Sequence, residues 1–175
     1  MKKTIETERL VLRNFNLNDA NDIYEYLAEP IVNCFMDMKI KSLQEAEKVI
    51  QERIKNEKSE IYFVICLKDT GKVIGELFAC ADEHEKDTFS PCWMLNTGYQ
   101  KQGYDYESVS ACFNYLFNEI FARRIYVYTE DYNIACQKLC EKLNMRKEGL
   151  FKNSFHLLII WTGLRNTKTL INMPY

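Results

Sequence analysis

Residues 96–107 read Asn-Thr-Gly-Tyr-Gln-Lys-Gln-Gly-Tyr-Asp-Tyr-Glu, and the run behind them is apolar at Val109, Cys112, Phe113, Leu116, Phe117 and Ile120. Steps of three and four put those side chains on one helical face. The segment ahead, with Phe89, Cys92, Trp93, Met94 and Leu95, is aromatic and apolar and predicts a strand. A polar, glycine-containing turn therefore joins a strand to a long helix. First-turn N–H groups have no partner inside a helix and the dipole is positive there, so the junction suits an anion. Gly98 and Gly103 permit a tight turn and a close approach. By itself this is the pattern of many junctions that bind nothing, and its meaning rests on the remaining chain.

Working outward toward the N-terminus, residues 88–96 form the last strand of a predicted meander, after the charged loop 82–87. Ahead of it, β-rich residues 60–68 and 73–81 flank Asp69-Thr70-Gly71-Lys72, which predicts a β-hairpin. Ser42-Leu43-Gln44-Glu45 is a capping box opening a helix to about Asn56, with Leu43, Ala46, Val49, Ile50 and Ile54 on one face. Residues 31–38, sulfur-rich and aromatic, read as a short helix or a loop over a cleft. Asn16 and Asn18 suit helix N-caps, Ile23, Tyr24 and Leu27 give a stripe ending at Pro30, and residues 9–15 suit a first strand. On the C-terminal side, residues 124–129 read as a strand and 133–143 as a helix with Ile134, Leu139 and Leu143 inward. Residues 145–151 and 155–164 read as two closing strands. Two strand–helix–strand crossovers in the second half imply a mixed sheet.

The bulk composition narrows the class. At 175 residues, with 47% hydrophobic and 27% charged residues, the chain suits one soluble globular domain over residues 1–175. A net charge of −2 provides no basic footprint for nucleic acid. No segment has transmembrane length and the charged N-terminus lacks an apolar signal core, so no membrane partner is expected. Seven cysteines without a Cys-x-x-Cys pair point to a reducing, cytoplasmic setting. Cys136 and Cys140 lie four apart, but neither histidine is near them in sequence, so no metal is expected.

Several separated stretches together resemble one family. Residues 7–13, Thr-Glu-Arg-Leu-Val-Leu-Arg, resemble the opening strand of the GNAT superfamily of N-acetyltransferases, closest to its RimJ/RimL-like branch. Residues 99–107 resemble the acetyl-CoA loop of that family, written Gln/Arg-x-x-Gly-x-Gly/Ala. Arg123-Arg124-Ile125, Asn133-Ile134-Ala135-Cys136 and residues 140–149 resemble its later strand, Asn-x-x-Ser, Leu-Glu-Lys-Leu-Gly-Phe and Glu-Gly features. The resemblance implies an α/β (α+β) fold. Its mixed, mostly antiparallel twisted sheet would have six to seven strands and about four helices on both faces, splayed in a V for CoA. It implies acetyl-CoA as co-substrate and an amine acceptor, either a small molecule or a peptide N-terminus, handled by a monomer or homodimer.

Residue by residue, it places Gln100, Lys101, Gln102, Gly103 and Tyr104 around the pyrophosphate, with Asp105 in the loop's last small-residue position. Backbone at Met94, Leu95 and Asn96 would pair with the pantetheine arm, Leu95 contributing an N–H near the thioester oxygen. Asn133 would bind the pantetheine region and Cys136 would lie near the thiol, with Cys140 in the slot of the tyrosine acid of other branches. The chemistry implied is direct amine attack on the thioester. The chain departs from the family at Asp105, at Ser90 where a glutamate base is common, at Cys136, at Cys140 and at Asn144-Met145. Cys136 reads equally as an acid for the departing thiol and as a small packed side chain. Two functions follow: an acyl-CoA-dependent N-acyltransferase, or a GNAT-fold binding or interaction module with weak or no catalysis.

Overall fold

The computed structural model describes residues 4–30, 38–56, 60–152 and 157–164. Its elements run β1 (Thr4–Glu6), β2 (Leu10–Arg13), α1 (Ala20–Leu27), α2 (Leu43–Asn56), β3 (Ile61–Leu67) and β4 (Val73–Ala81). They continue with β5 (Thr88–Leu95), α3 (Tyr104–Asn118), β6 (Arg124–Glu130), α4 (Ile134–Lys142), β7 (Arg146–Lys152) and β8 (Leu157–Leu164). The strands form one open eight-stranded sheet in the order β1-β2-β3-β4-β5-β6-β8-β7. The ladders β1–β2, β2–β3, β3–β4, β6–β8 and β7–β8 are antiparallel. β5 and β6 pair parallel, at Thr88↔Arg124 and Phe89↔Ile125, as a helical crossover through α3 requires. This is the mixed, mostly antiparallel α/β architecture expected, with four α-helices.

Eight strands stand where six to seven were expected. The additional one, β1, pairs Ile5 with Leu12 and is too short and too polar for alternation to reveal it. Of the expected inward face of α4, Leu139 and Leu143 are buried but Ile134 is exposed. Ile134 is five residues from Leu139, about 140° away around a helix, so it points off the buried face. The Ser42 cap is formed, with Glu45 N–H donating to Ser42 Oγ at 3.3 Å. The Glu45 carboxylate, however, accepts from the Lys41 amide at 2.6 Å. The expectations for residues 31–37 and for the start of the last strand at 155–156 lie outside the described residues.

The chain divides into two compact units, residues 1–79 with 92–108, and residues 80–91 with 109–175. In the first, Ala20, Ile23, Tyr26 and Leu27 of α1 and Ala46 and Ile50 of α2 pack on Tyr62, Val64 and Cys66 of β3. Phe63 and Ile65, on the other face of β3, are also fully buried. Burial on both faces explains why β3 reads as a continuous apolar run. Glu76 of β4 is buried too, and the Tyr26 hydroxyl and Arg53 guanidinium donate to it at 3.1 and 3.3 Å. In the second unit, Val109, Cys112, Phe113, Leu116 and Phe117 of α3 are buried, as are Ile125 and Val127 of β6 and Ile159 and Trp161 of β8. The helical spacing of residues 109–117 is thus a core-facing stripe.

Candidate active site

The first unit contains the junction from β5 to α3. Gly75 of β4 lets the β5 backbone approach: a Cβ there would sit 2.2 Å from the Met94 carbonyl oxygen. At the strand end, Asn96 N–H donates to the Ile74 carbonyl at 2.8 Å. The Asn96 side chain caps the single 3-10 turn Thr97–Tyr99, its Oδ1 accepting from Gly98 N–H at 3.0 Å. Its Nδ2 donates to Glu25 of α1 at 2.8 Å. Lys72 and Asn96, both donating to Glu25, hold that carboxyl below its ordinary range.

Beyond the turn, Gln100 Nε2 lies 3.4 Å from the Leu95 carbonyl, and Gln102 Nε2 donates to the Gly98 carbonyl at 3.1 Å. Lys101 and Gly103 both have positive φ, 61° and 83°. Left-handed residues next to a helix start turn successive N–H groups to one side, which makes an anion-binding concavity. Among the described residues, the N–H groups of Gly103, Tyr104 and Asp105 donate to no acceptor. Asp105 Oδ1 accepts the next one, Tyr106 N–H, at 2.8 Å.

This loop is gripped from the far end of the chain. Arg9 Nη1 donates to the Gln102 carbonyl at 3.0 Å, and the guanidinium lies over the Tyr104 ring at 4.3 Å. Arg9 Nε donates to Glu107 Oε2 at 2.7 Å, and Glu107 Oε1 accepts from the Arg9 amide at 2.8 Å and the Thr7 hydroxyl at 2.6 Å. Partial burial pushes the Glu107 carboxyl up, but the bonds from Thr7 and Arg9 outweigh it and hold the group below its usual range. Thr7 and Arg9 belong to the stretch that resembles an opening strand, and Glu107 to the first turn of the helix expected after Gly103; the sequence assigns none of the three an individual role. Nothing local signals that residues about a hundred positions apart pair.

The second unit holds the remaining residues singled out from sequence. Asn133 caps α4, its Oδ1 accepting Cys136 N–H at 3.1 Å. Cys136 is half-buried, while Cys140 is fully buried. Ser90 stands hydrogen-bonded to the Tyr126 phenol, and that phenol lies 3.4 Å from Asp82 Oδ2. Burial foremost raises the Tyr126 phenol above its ordinary value. Among the described residues, no group of three or more His, Cys, Asp or Glu could hold a metal ion, and no helix is long and apolar enough to cross a membrane.

Comparison with known proteins converges on one family. The model of the acetyltransferase (GNAT) domain matches residues 9–146. The chain is 30% identical over 150 residues to the N-acetyltransferase YnaD of Bacillus subtilis, covering 85% of each chain. A GNAT-family acetyltransferase from Bacillus anthracis superposes with a TM-score of 0.83 at 21% identity, over 93% of this chain and 99% of that one. RimL, a ribosomal-protein α-N acetyltransferase solved in complex with coenzyme A, superposes with a TM-score of 0.81 at 16% identity, over 93% and 98%. Those two structures share the fold.

Proposed function

The chain belongs to the GNAT acetyltransferase family, and from that premise we propose that it transfers an acetyl group from acetyl-CoA to a primary amine. The acceptor is a small molecule or a protein N-terminus. The observation that carries the reading is the loop at residues 100–105: left-handed Lys101 and Gly103, with the N–H groups of Gly103 and of the first two residues of α3, Tyr104 and Asp105, unpaired. Those donors suit a diphosphate. Gln100, Lys101, Gln102, Gly103 and Tyr104 form this cradle, and the Met94–Asn96 backbone offers amide groups to the pantetheine arm. Leu95 N–H is the candidate donor to the thioester oxygen as it gains charge.

The co-substrate supplies an acylated thiol whose carbonyl carbon the amine attacks. A C–N bond forms, the C–S bond breaks, the nitrogen loses a proton and the departing thiolate gains one. Cys136 is the candidate donor of that proton, and Asn133 and Cys140 remain candidates for the pantetheine end. A general base contributes about 10²–10⁴-fold, so serine at position 90 weakens turnover without abolishing it. The unit boundaries fall inside β4, β5 and α3, which supports reading the whole chain as a single domain. We read it as cytoplasmic and as a monomer or homodimer.

Asp105 favours a second reading, a GNAT-fold binding module with weak or no catalysis. Its carboxylate already takes a first-turn N–H and repels a diphosphate. Calorimetric and thermal-shift titration with acetyl-CoA, followed by thiol-release assays over a panel of amines, separates the two. The expected result is binding that adds about 2.7 kcal/mol to stability at 100-fold over Kd, with thiol release, and about tenfold tighter binding in Asp105→Ala. Binding without thiol release for any amine supports the module. Absence of binding in wild type overturns the acetyl-transfer reading.

A further inference from the structure

We infer that Arg9 and Glu107 are positioning residues that preset the anion loop, so that acetyl-CoA meets a cradle already formed. The inference rests on the acetyl-CoA reading above and adds to it the device that shapes the site. Its core is the peptide between Gln102 and Gly103. The carbonyl side is held by Arg9 Nη1 at 3.0 Å. In a planar trans peptide the carbonyl and the following N–H point in opposite directions. Arg9 on one side therefore fixes Gly103 N–H on the other, beside the unpaired N–H groups of Tyr104 and Asp105. The peptide flip this prevents would turn a carbonyl oxygen toward the diphosphate.

The guanidinium itself has little freedom. Its Nε and Nη1 are engaged with Glu107 and Gln102, its face lies on Tyr104 at 4.3 Å, and its Nη2 lies 3.4 Å from where a Cβ on Gly103 would be. Glu107 is anchored in turn by the Thr7 hydroxyl and the Arg9 amide, which ties the turn between β1 and β2 to the first turn of α3. A planar fork with a stacked face can make this set of contacts and an ammonium cannot. A loop ordered before binding saves the entropy of ordering it on binding, which raises affinity without a new contact to the ligand.

Charge and geometry predict opposite signs for one variant, which makes the test decisive. If simple electrostatics governed the site, Glu107→Gln would tighten CoA binding, because a negative charge near an anion disappears. If Glu107 orients Arg9, the same change weakens it. CoA affinity is measured by calorimetry for wild type, Arg9→Ala, Arg9→Lys and Glu107→Gln, and affinity for pantetheine, which lacks the diphosphate, by NMR titration. The expected result is about tenfold weaker CoA binding in all three variants and less than a twofold change for pantetheine, which also reports that the fold is intact. Tighter binding in Glu107→Gln, full affinity in Arg9→Lys, or equal losses for CoA and pantetheine overturns the positioning role. Wild type that binds no CoA overturns the acetyl-transfer reading on which this role rests. Wild type that binds, with Arg9→Ala equal to it, overturns the positioning role alone.

Discussion

Two strand–helix junctions in this chain look alike in sequence and are held in different ways. One leads from β5 to α3 through residues 96–103, the other from β6 to α4 through residues 131–133. Each carries an asparagine cap, Asn96 on the 3-10 turn and Asn133 on α4. At Asn133 the holding contacts are local: Asn133 N–H to the Glu130 carbonyl at 3.0 Å, Cys136 N–H to Asn133 Oδ1 at 3.1 Å, Gln137 Nε2 to the Asp131 carbonyl at 2.8 Å. At the first junction the decisive partners are remote: Glu25, Ile74, Arg9 and Thr7. The local contacts at Asn133 engage the first-turn N–H groups of Ile134, Cys136 and Gln137, whereas leaving several successive N–H groups open in an ordered loop requires other elements to hold the backbone.

The largest expected effect tests that remote support. Gly75→Ala would put a Cβ 2.2 Å from the Met94 carbonyl oxygen, a backbone atom with nowhere to retreat without parting β4 from β5. A loss of about 3 kcal/mol in urea unfolding is expected. A loss under 1 kcal/mol would show that the two strands can separate cheaply and that the first junction is no more rigidly backed than the second.

Next in size is Glu107. Its carboxyl is held below the ordinary range in the folded protein, so its contribution is full above the unfolded-state value and is lost as pH falls through the lowered folded value. Glu107→Gln removes charge-assisted bonds from Thr7 and Arg9 and should cost about 2 kcal/mol at neutral pH. Its difference from wild type should shrink as the solution is acidified below the ordinary carboxylate range and through the lowered value of Glu107. Urea melts across the acid range read this directly, and a difference independent of pH would mean the network is held by shape rather than charge.

The smallest effect is expected at the local junction. Asn133→Ala loses one cap and should cost about 1 kcal/mol, with no change at residues 100–105 in amide exchange. Amide exchange that also rises in the first junction would break the contrast, because the two would then be one cooperative unit.

Much of this was legible beforehand for a definite reason. The core stripe of α3, the hairpin of β3 and β4, and the stripe of α2 all follow from periodicity, which a single segment expresses by itself. The loop at residues 96–103 was equally visible, through Gly103 and the helix that follows. What stayed hidden had no local expression. β1 is three residues whose partners lie in β2. Ile134 looked like part of an inward face, and only its position around α4 relative to Leu139 and Leu143 shows that it points to solvent.

Periodicity, caps and turn residues in the sequence specify the four helices, every strand but β1, their order, and the glycine that permits the sharp entry into α3, because each depends on neighbours within a few residues. Tertiary structure alone decided that Arg9 would grip the Gln102 carbonyl, that Glu107 would serve Thr7 and Arg9 rather than its own helix, and that Gly75 would face the Met94 backbone. Those pairings join residues 19 to 100 positions apart. No propensity or spacing rule reaches that far, and the contacts exist only once the sheet has brought the distant segments within hydrogen-bonding range.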